Sequence, residues 1–593
     1  MTAEPTRAVL DRRDEGRGAV PHDDGAALST VENGEAVGLP SVGGLVRGLA
    51  FTLAQARPVR REATRLARDC ARIARGTDEH LPSPRDKRFA DPAWSLNPAY
   101  RRLGQAYLAA GGAASRLVDD LEAQGRDWHD VERARFAVNA VTSALAPTNA
   151  LLGNPAALKR AFDTGGASVL RGLGHLADDV RHNGAMPSQT DRSAFEVGRD
   201  LAVTPGAVIA RDEVAELIQY TPCTPTVRSR PVLVIPPPIG RYYFLDLRPG
   251  RSFIEYALSQ GLQVFLVSWR NPQAEQADWG MDTYARRILD ALETVREVSG
   301  CADVNTIGFC AGGILMTTLL SHLAQTGQPL VHSASYAVTL LDFDSEAAIG
   351  AFSAPRLLEL ARRNSRRRGI ISARSMGTVF AWMRPDDLVF NYVVNNWLMG
   401  EDPPVFDILA WNADGTNLPA HLHEQFLGVF RTNSLTRPGH VSVLGTPVDL
   451  SRIEVPTFVT GAVNDHLTPW ICCYRTTELL SGPSTFVLSN AGHVASLVNP
   501  PGNPKASYWA GGQPGPDPVG WKDSAEKRTG SWWEAWSAWV LERSGEETTA
   551  PAALGSDRHP PLEAAPGSYV HDRVPPAGRA SGDQAVRPVG GRP

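Results

Sequence analysis

Cysteine is scarce in this chain. Its 593 residues hold six, Cys70, Cys223, Cys301, Cys310, Cys472 and Cys473, with no CxxC spacing. Such sparse use excludes a disulfide framework and argues against a zinc site. No metal or other cofactor is expected. Long hydrophobic runs are also missing. No stretch reaches the roughly 18 apolar residues of a membrane span, and the N-terminus carries acids and arginines but no apolar signal core. Neither sign of charge dominates: the net charge is −5, which gives no global reason to expect nucleic acid. The remaining composition, 42% hydrophobic and 21% charged, is that of a globular protein. The length allows roughly two to four domains.

The pattern changes along the chain. Residues 1–45, rich in Gly, Asp, Glu and Ala without periodicity, read as a disordered leader. Residues 46–220 read as a mainly helical N-terminal domain, with Ala/Leu/Arg-rich runs such as 103–118 and 131–145. Its last part, 195–220, shifts to Val- and Thr-rich segments with a turn signal at Pro205-Gly206. Residues 221–545 alternate between strands (232–235, 264–268, 305–309, 334–341) and helices (252–260, 284–298). Buried parallel strands joined by helices predict a doubly wound α/β domain. The rhythm breaks at about 342–440, an insertion expected to cap the C-terminal edge of the sheet, where sites form. It resumes with strands at 457–460 and 485–488. Residues 546–593 read as a linker and a mostly disordered C-terminal tail.

Gly308-Phe309-Cys310-Ala311-Gly312-Gly313 lies between a β-rich run, 303–309, and an apolar helical run, 314–323. A small-residue turn between strand and helix, with one reactive side chain at its apex, is the nucleophile elbow of α/β-hydrolases. Glycines at 308 and 312 permit the sharp turn and the close approach of helix and strand. Here the apex is cysteine in place of serine. A thiolate attacks a thioester and forms another thioester of similar energy, which suits acyl transfer better than plain hydrolysis. Such a thiol needs a reducing compartment, the cytoplasm.

In this layout an acid and then a histidine follow the nucleophile, each in a loop after a strand. Asp465 follows the strand-like run at 459–463, and His493 follows the one ending at Ser489. His493 is expected to take the Cys310 proton or to form a thiolate–imidazolium pair with it, the sulfur lying at a helix N-terminus. Asp465 is expected to fix the imidazole tautomer. The backbone N–H of Ala311 is one expected oxyanion donor. The other is expected from the loop Pro236-Pro237-Pro238-Ile239-Gly240, at Ile239.

Each choice has a plainer counterpart. A cysteine after a strand is ordinarily a small buried hydrophobe; the flanking glycines favour the nucleophile. His466, beside Asp465, is an alternative base, but topology favours the histidine after the next strand. Arg362-Arg363-Asn364-Ser365-Arg366-Arg367-Arg368 could bind CoA phosphates, although a solvated helix face explains it more simply. Trp532, Trp533, Trp536 and Trp539 recur at helical spacing, which reads as core, with docking on an apolar surface as the alternative.

Further motifs surround the elbow. The helical region carries Phe89-Ala90-Asp91-Pro92-Ala93-Trp94 and Phe195-Glu196-Val197-Gly198-Arg199. The α/β region carries Tyr242-Tyr243-Phe244-Leu245-Asp246-Leu247 and Val267-Ser268-Trp269-Arg270-Asn271-Pro272. The insertion carries Arg384-Pro385-Asp386-Asp387-Leu388, Asn391-Tyr392-Val393-Val394-Asn395-Asn396 and Thr416-Asn417-Leu418-Pro419. Asp465-His466-Leu467-Thr468-Pro469-Trp470, Gly530-Ser531-Trp532-Trp533 and the ending Ala565-Pro566-Gly567-Ser568-Tyr569-Val570 complete the set. In these motifs, from about 89 to 570, the chain resembles polyhydroxyalkanoate synthases (poly-3-hydroxybutyrate polymerases) of the long, single-subunit type. Met281 departs from the tryptophan of several relatives, and the polar extensions at both ends are less typical.

The resemblance implies an α/β-hydrolase catalytic domain with an inserted cap behind a helical N-terminal domain. It implies an acyltransferase that polymerises (R)-3-hydroxyacyl-CoA into polyester through an acyl-Cys310 thioester. It also implies a homodimer at the surface of polymer granules in the cytoplasm. Two other readings compete. A cysteine hydrolase on the same scaffold would yield free hydroxy acid. A non-catalytic granule scaffold would have no use for Cys310, Asp465 and His493 together.

Overall fold

In a sheet covered on both faces, strands read as continuous apolar runs, and such runs organise this chain. The computed structural model describes residues 56–78, 81–344 and 355–572. The expected leader at 1–45 lies outside them. The N-terminal part is helical: α1 (Ala56–Arg75), α2 (Pro98–Ala123), α3 (Trp128–Ala144), α4 (Pro155–Asp163) and α5 (Ala167–His182). Local chemistry sets these starts. The side chain of Asn97 accepts the Ala99 and Tyr100 amides ahead of α2, with Pro98 in its first turn.

Eleven strands then build one sheet: β1 (Gly206–Arg211), β2 (Ala215–Tyr220), β3 (Val232–Ile235), β4 (Val264–Trp269), β5 (Val304–Phe309), β6 (Val331–Ala337), β7 (Thr457–Ala462), β8 (Ser484–Ser489), β9 (Ser507–Ala510), β10 (Glu526–Thr529) and β11 (Glu563–Ala564). The spatial order is β10-β9-β8-β7-β6-β5-β3-β4-β2-β1-β11. The central strands, β8 through β4 in that order, pair in parallel. Antiparallel strands extend both edges. Alternate residues feed two cores. Val232 and Val234 face one with α6 (Phe253–Ser259), while Leu233 and Ile235 face the other with α7 (Met281–Ser299) and α8 (Ala311–Thr326). This is the α/β-hydrolase arrangement.

The chain between β6 and β7 carries an insertion containing α9 (Pro355–Arg368), α10 (Ala373–Met383), two π-helical turns (Asp386–Phe390, Val393–Leu398) and α11 (Ala420–Thr432). The N-terminal helices grip it. Trp397 Nε1 donates to the buried Asp179 carboxylate at 2.8 Å, and Asn396 Nδ2 to the Ser188 carbonyl at 2.7 Å. Three arginines of α9 are paired with neighbours: Arg362 and Arg366 with Glu424, Arg363 with Glu359. Beyond β7 lie α12 (Trp470–Leu479), α13 (His493–Leu497) and α14 (Trp532–Leu541). The tryptophan stripe of α14 is core, with Trp532, Trp533, Trp536 and Trp539 all buried.

Three expectations change. Residues 206–220 are not part of a helical unit: β2 is a buried strand paired antiparallel with β4, and β1 pairs antiparallel with β2. The strand expected at 334–341 ends at Ala337, because Val338 turns left-handed with φ 45°. The chain after 545 is not a free linker. Glu547–Thr549 pairs with Thr226–Arg228 and β11 pairs with β1. Open strand edges offer unpaired amides and carbonyls that a short polar run can satisfy without apolar alternation, so composition gave no sign of it. Residues 573–593 lie outside the described ones.

Candidate active site

The site forms where β3, β5, β7 and β8 end. Phe309 closes β5 and Cys310 follows with φ 49° and ψ −123°, a conformation costly for any residue with a Cβ. Its surroundings hold it there. Cys310 N–H donates to the Ala337 carbonyl at 2.9 Å, and the Cys310 carbonyl accepts Gly313 N–H at 3.0 Å and Thr339 Oγ1 at 3.1 Å. A Cβ on Gly308 would stand 2.5 Å from Gly313 Cα, and one on Gly312 would overlap the Ile235 carbonyl oxygen. These two positions bring α8 against β5 and the end of β3. The early end of β6 serves the same turn, since Thr339 braces it. Cys310 is half-buried, on an apolar cluster that also receives Ile408 and Trp411 from the insertion.

Asp465 and His493 meet after β7 and β8. Asp465 Oδ2 lies 2.6 Å from His493 Nδ1, with side-chain exposures of 0% and 9%. The Asp465 loop is an Asx turn: Oδ1 accepts the Leu467 and Thr468 amides at 2.8 and 2.9 Å. Thr468 Oγ1 donates to Asp465 Oδ2 at 2.6 Å and lies 3.1 Å from His493 Nδ1. The buried Cys473 thiol braces the same loop against the Thr468 carbonyl at 3.6 Å. With Nδ1 committed to Asp465, the other ring nitrogen is left for the Cys310 side chain, which lies close enough to act on the His493 charge.

Electrostatics follow from this geometry. Burial disfavours the His493 imidazolium, but the Asp465 charge and hydrogen bond, joined by Cys310, overturn that and raise its pKa to about 10. Burial likewise works against the Asp465 carboxylate. His493 and the Thr468 donors outweigh it and hold Asp465 below the usual carboxylate range. His466 lies near the pair and feels the charge of Asp465, but it makes no hydrogen bond to that carboxylate; its Nδ1 is buried without a hydrogen bond, and burial together with Arg384 lowers its pKa. The structure therefore joins Cys310 with His493 and Asp465, and not with His466.

Ala311 opens α8, and its N–H has no acceptor within the helix. The loop after β3 lies beside it, because Gly312 packs on the Ile235 and Pro236 carbonyls. In that loop the prolines have no N–H, and Gly240 N–H donates to Thr416 Oγ1 at 2.7 Å. Ile239 carries the remaining amide, and its side chain is partly buried against the core. Thr468 was missed by sequence reasoning as a site residue, although its place three residues after Asp465 is the spacing of an Asx turn.

Residues 85–257 match the family model described as the N-terminus of poly-beta-hydroxybutyrate polymerase (PhaC), and residues 245–500 match that of the alpha/beta hydrolase fold. The chain is 47% identical over 500 residues to poly(3-hydroxyalkanoate) polymerase 2 of Ectopseudomonas oleovorans, covering 84% of this chain and 89% of that one. The chain belongs to the poly(3-hydroxyalkanoate) polymerase family. Polymerase 1 of the same organism is 45% identical over 495 residues, covering 84% and 88% of the two chains. The polymerase subunit PhaC of Cupriavidus necator is 38% identical over 507 residues, covering 84% and 85%. As in the expectation from its motifs, this polymerase-family chain carries the family's N-terminal region and the hydrolase fold together.

Proposed function

We propose that this chain is a polyhydroxyalkanoate synthase, polymerising (R)-3-hydroxyacyl-CoA into polyester with release of CoA. The observation that carries the reading is the His493–Asp465 pair, hydrogen-bonded at 2.6 Å and set beside Cys310 at the elbow of a polymerase-family chain. Cys310, as thiolate, attacks the thioester carbonyl. The oxyanion gathers on the Ala311 and Ile239 amides. The bond from carbon to CoA sulfur breaks, and the departing thiolate takes its proton from His493. The acyl group is then a Cys310 thioester. The 3-hydroxyl of another unit attacks it, giving its proton to His493 while Asp465 steadies the imidazolium. An ester forms and the Cys310 thiolate returns.

Water would compete at the second step. The insertion above Cys310 supports its exclusion, with Ile408 and Trp411 packed into the same apolar cluster. All six cysteines are free thiols, in keeping with a reducing, cytoplasmic setting. Among the described residues no helix is long and apolar enough to cross a membrane. Family likeness supports a homodimer at the granule surface. It also supports a division into a helical N-terminal domain, a catalytic domain whose sheet starts at β1, and a cap. Mass spectrometry of the Cys310 peptide after an acid quench tests the reading. A hydroxyacyl adduct on Cys310, absent in His493→Gln, is expected; an unmodified Cys310 during turnover would overturn it.

A further inference from the structure

Arg241 directly follows the loop that carries Ile239, is only 3% exposed, and has no part in the chemistry above. Its guanidinium holds the C-terminal tail. Nη1 donates to the Tyr569 carbonyl at 2.8 Å and Nη2 to the Asp572 carbonyl. Its own carbonyl accepts Trp411 Nε1 at 2.7 Å, and Nε faces Asp414 Oδ2 at 3.8 Å. Thr416 Oγ1 donates to the Pro238 carbonyl at 3.1 Å while accepting Gly240 N–H. Residues 411–416 of the insertion therefore hold the loop from one side and residues 569–572 from the other. Asn271 closes the ring: Nδ2 donates to the Asp572 carbonyl at 3.4 Å, and Oδ1 accepts Asn417 N–H at 2.9 Å.

We infer that Arg241 is a positioning residue for the Ile239 amide, and that docking of residues 569–572 on its guanidinium sets the second oxyanion donor. The reasoning is energetic. A buried cation is tolerated only while paired, and the hydrogen-bond acceptors of Arg241 are tail carbonyls. Without them Asp414, 3.8 Å from Nε, is the one carboxylate paired with the guanidinium among the described residues, so the side chain is driven to move toward water. Ile239 is two residues away, and a working oxyanion donor tolerates displacement of only about 0.5 Å. Anchors at Pro238, Gly240 and Arg241 enclose the Ile239 amide, and the tail holds the last of them.

The inference rests on Cys310 as the acylated residue, so CoA release by the unaltered chain, lost in Cys310→Ala, is established first. Failure of the polymerase reading shows there. The test then uses Arg241→Lys and a chain ending at Ser568, with a chain ending at Val574 as the control that keeps both carbonyls. Two rates are compared. One is CoA release from (R)-3-hydroxybutyryl-CoA, which needs the oxyanion hole. The other is alkylation of Cys310 by iodoacetamide, a displacement at saturated carbon that needs none. Release is expected to fall about 10- to 1,000-fold in both variants, with alkylation within about twofold of the control. Release retained by the chain ending at Ser568 would overturn the inference. So would alkylation falling in step with release, which would make the tail a general support of the fold.

Discussion

Asp465 Oδ2 lies 2.6 Å from His493 Nδ1, and in the proposed mechanism that contact leaves the other ring nitrogen for Cys310. Asp465→Asn keeps the shape of the contact and removes its charge. The amide can present its N–H to Nδ1 and so favour the wrong tautomer. Turnover is expected to fall by about 10²- to 10⁴-fold. The His493 pKa should also drop from about 10 toward the ordinary histidine range. Histidine NMR titration beside a CoA-release assay checks both.

Thr468 ties the pair together, its hydroxyl 2.6 Å from Asp465 Oδ2 and 3.1 Å from His493 Nδ1. Thr468→Val keeps the volume and leaves the buried carboxylate short of one donor, at a cost of roughly 1–3 kcal/mol. Turnover should fall about tenfold with KM little changed, because the loss lies in the orientation of His493. Steady-state kinetics on the variant give the answer; an unchanged kcat would remove Thr468 from the account.

His493 should also mark the stability curve. Its folded pKa of about 10 lies above the roughly 6.5 of an unfolded histidine. The folded state therefore binds the proton more tightly. That contribution is complete below about pH 6.5 and is lost as pH rises through about 10. The gap in Tm between the unaltered chain and His493→Gln should narrow over that interval. A gap that widens would contradict the assigned charge state.

A second histidine works in the opposite sense. Burial lowers the His423 pKa to about 4, with Glu424 opposing only in part, and Nδ1 lies 3.1 Å from Ser365 Oγ between α11 and α9. The folded state holds it neutral. Stability from this site is present above about pH 6.5 and is lost as pH falls through about 4. Hydrogen exchange of α9 and α11 should quicken on acidification, and His423→Leu should blunt the change.

The elbow was legible because Gly308 and Gly312 carry a steric demand that the sequence displays directly: side chains there would strike Gly313 and the Ile235 carbonyl. Asp465 and His493 were legible from strand order, and the central strands from their apolar runs. The antiparallel edges were not. β11 is a two-residue strand, Glu563–Ala564, held by backbone pairing to β1, which leaves no trace in hydrophobic patterning. Arg241 was equally hidden, since its partners Tyr569 and Asp572 are 328 and 331 positions away and are engaged through their carbonyls. The left-handed turn at Val338 follows from packing around the elbow and not from any local preference of valine.

The most direct test is product analysis. The purified chain is incubated with (R)-3-hydroxybutyryl-CoA, and CoA release and product size are followed by chromatography, with Cys310→Ala alongside. CoA release with high-mass polyester, both lost in the variant, is the predicted result. CoA release that yields only free 3-hydroxybutyrate, or polymer still formed by Cys310→Ala, would contradict it.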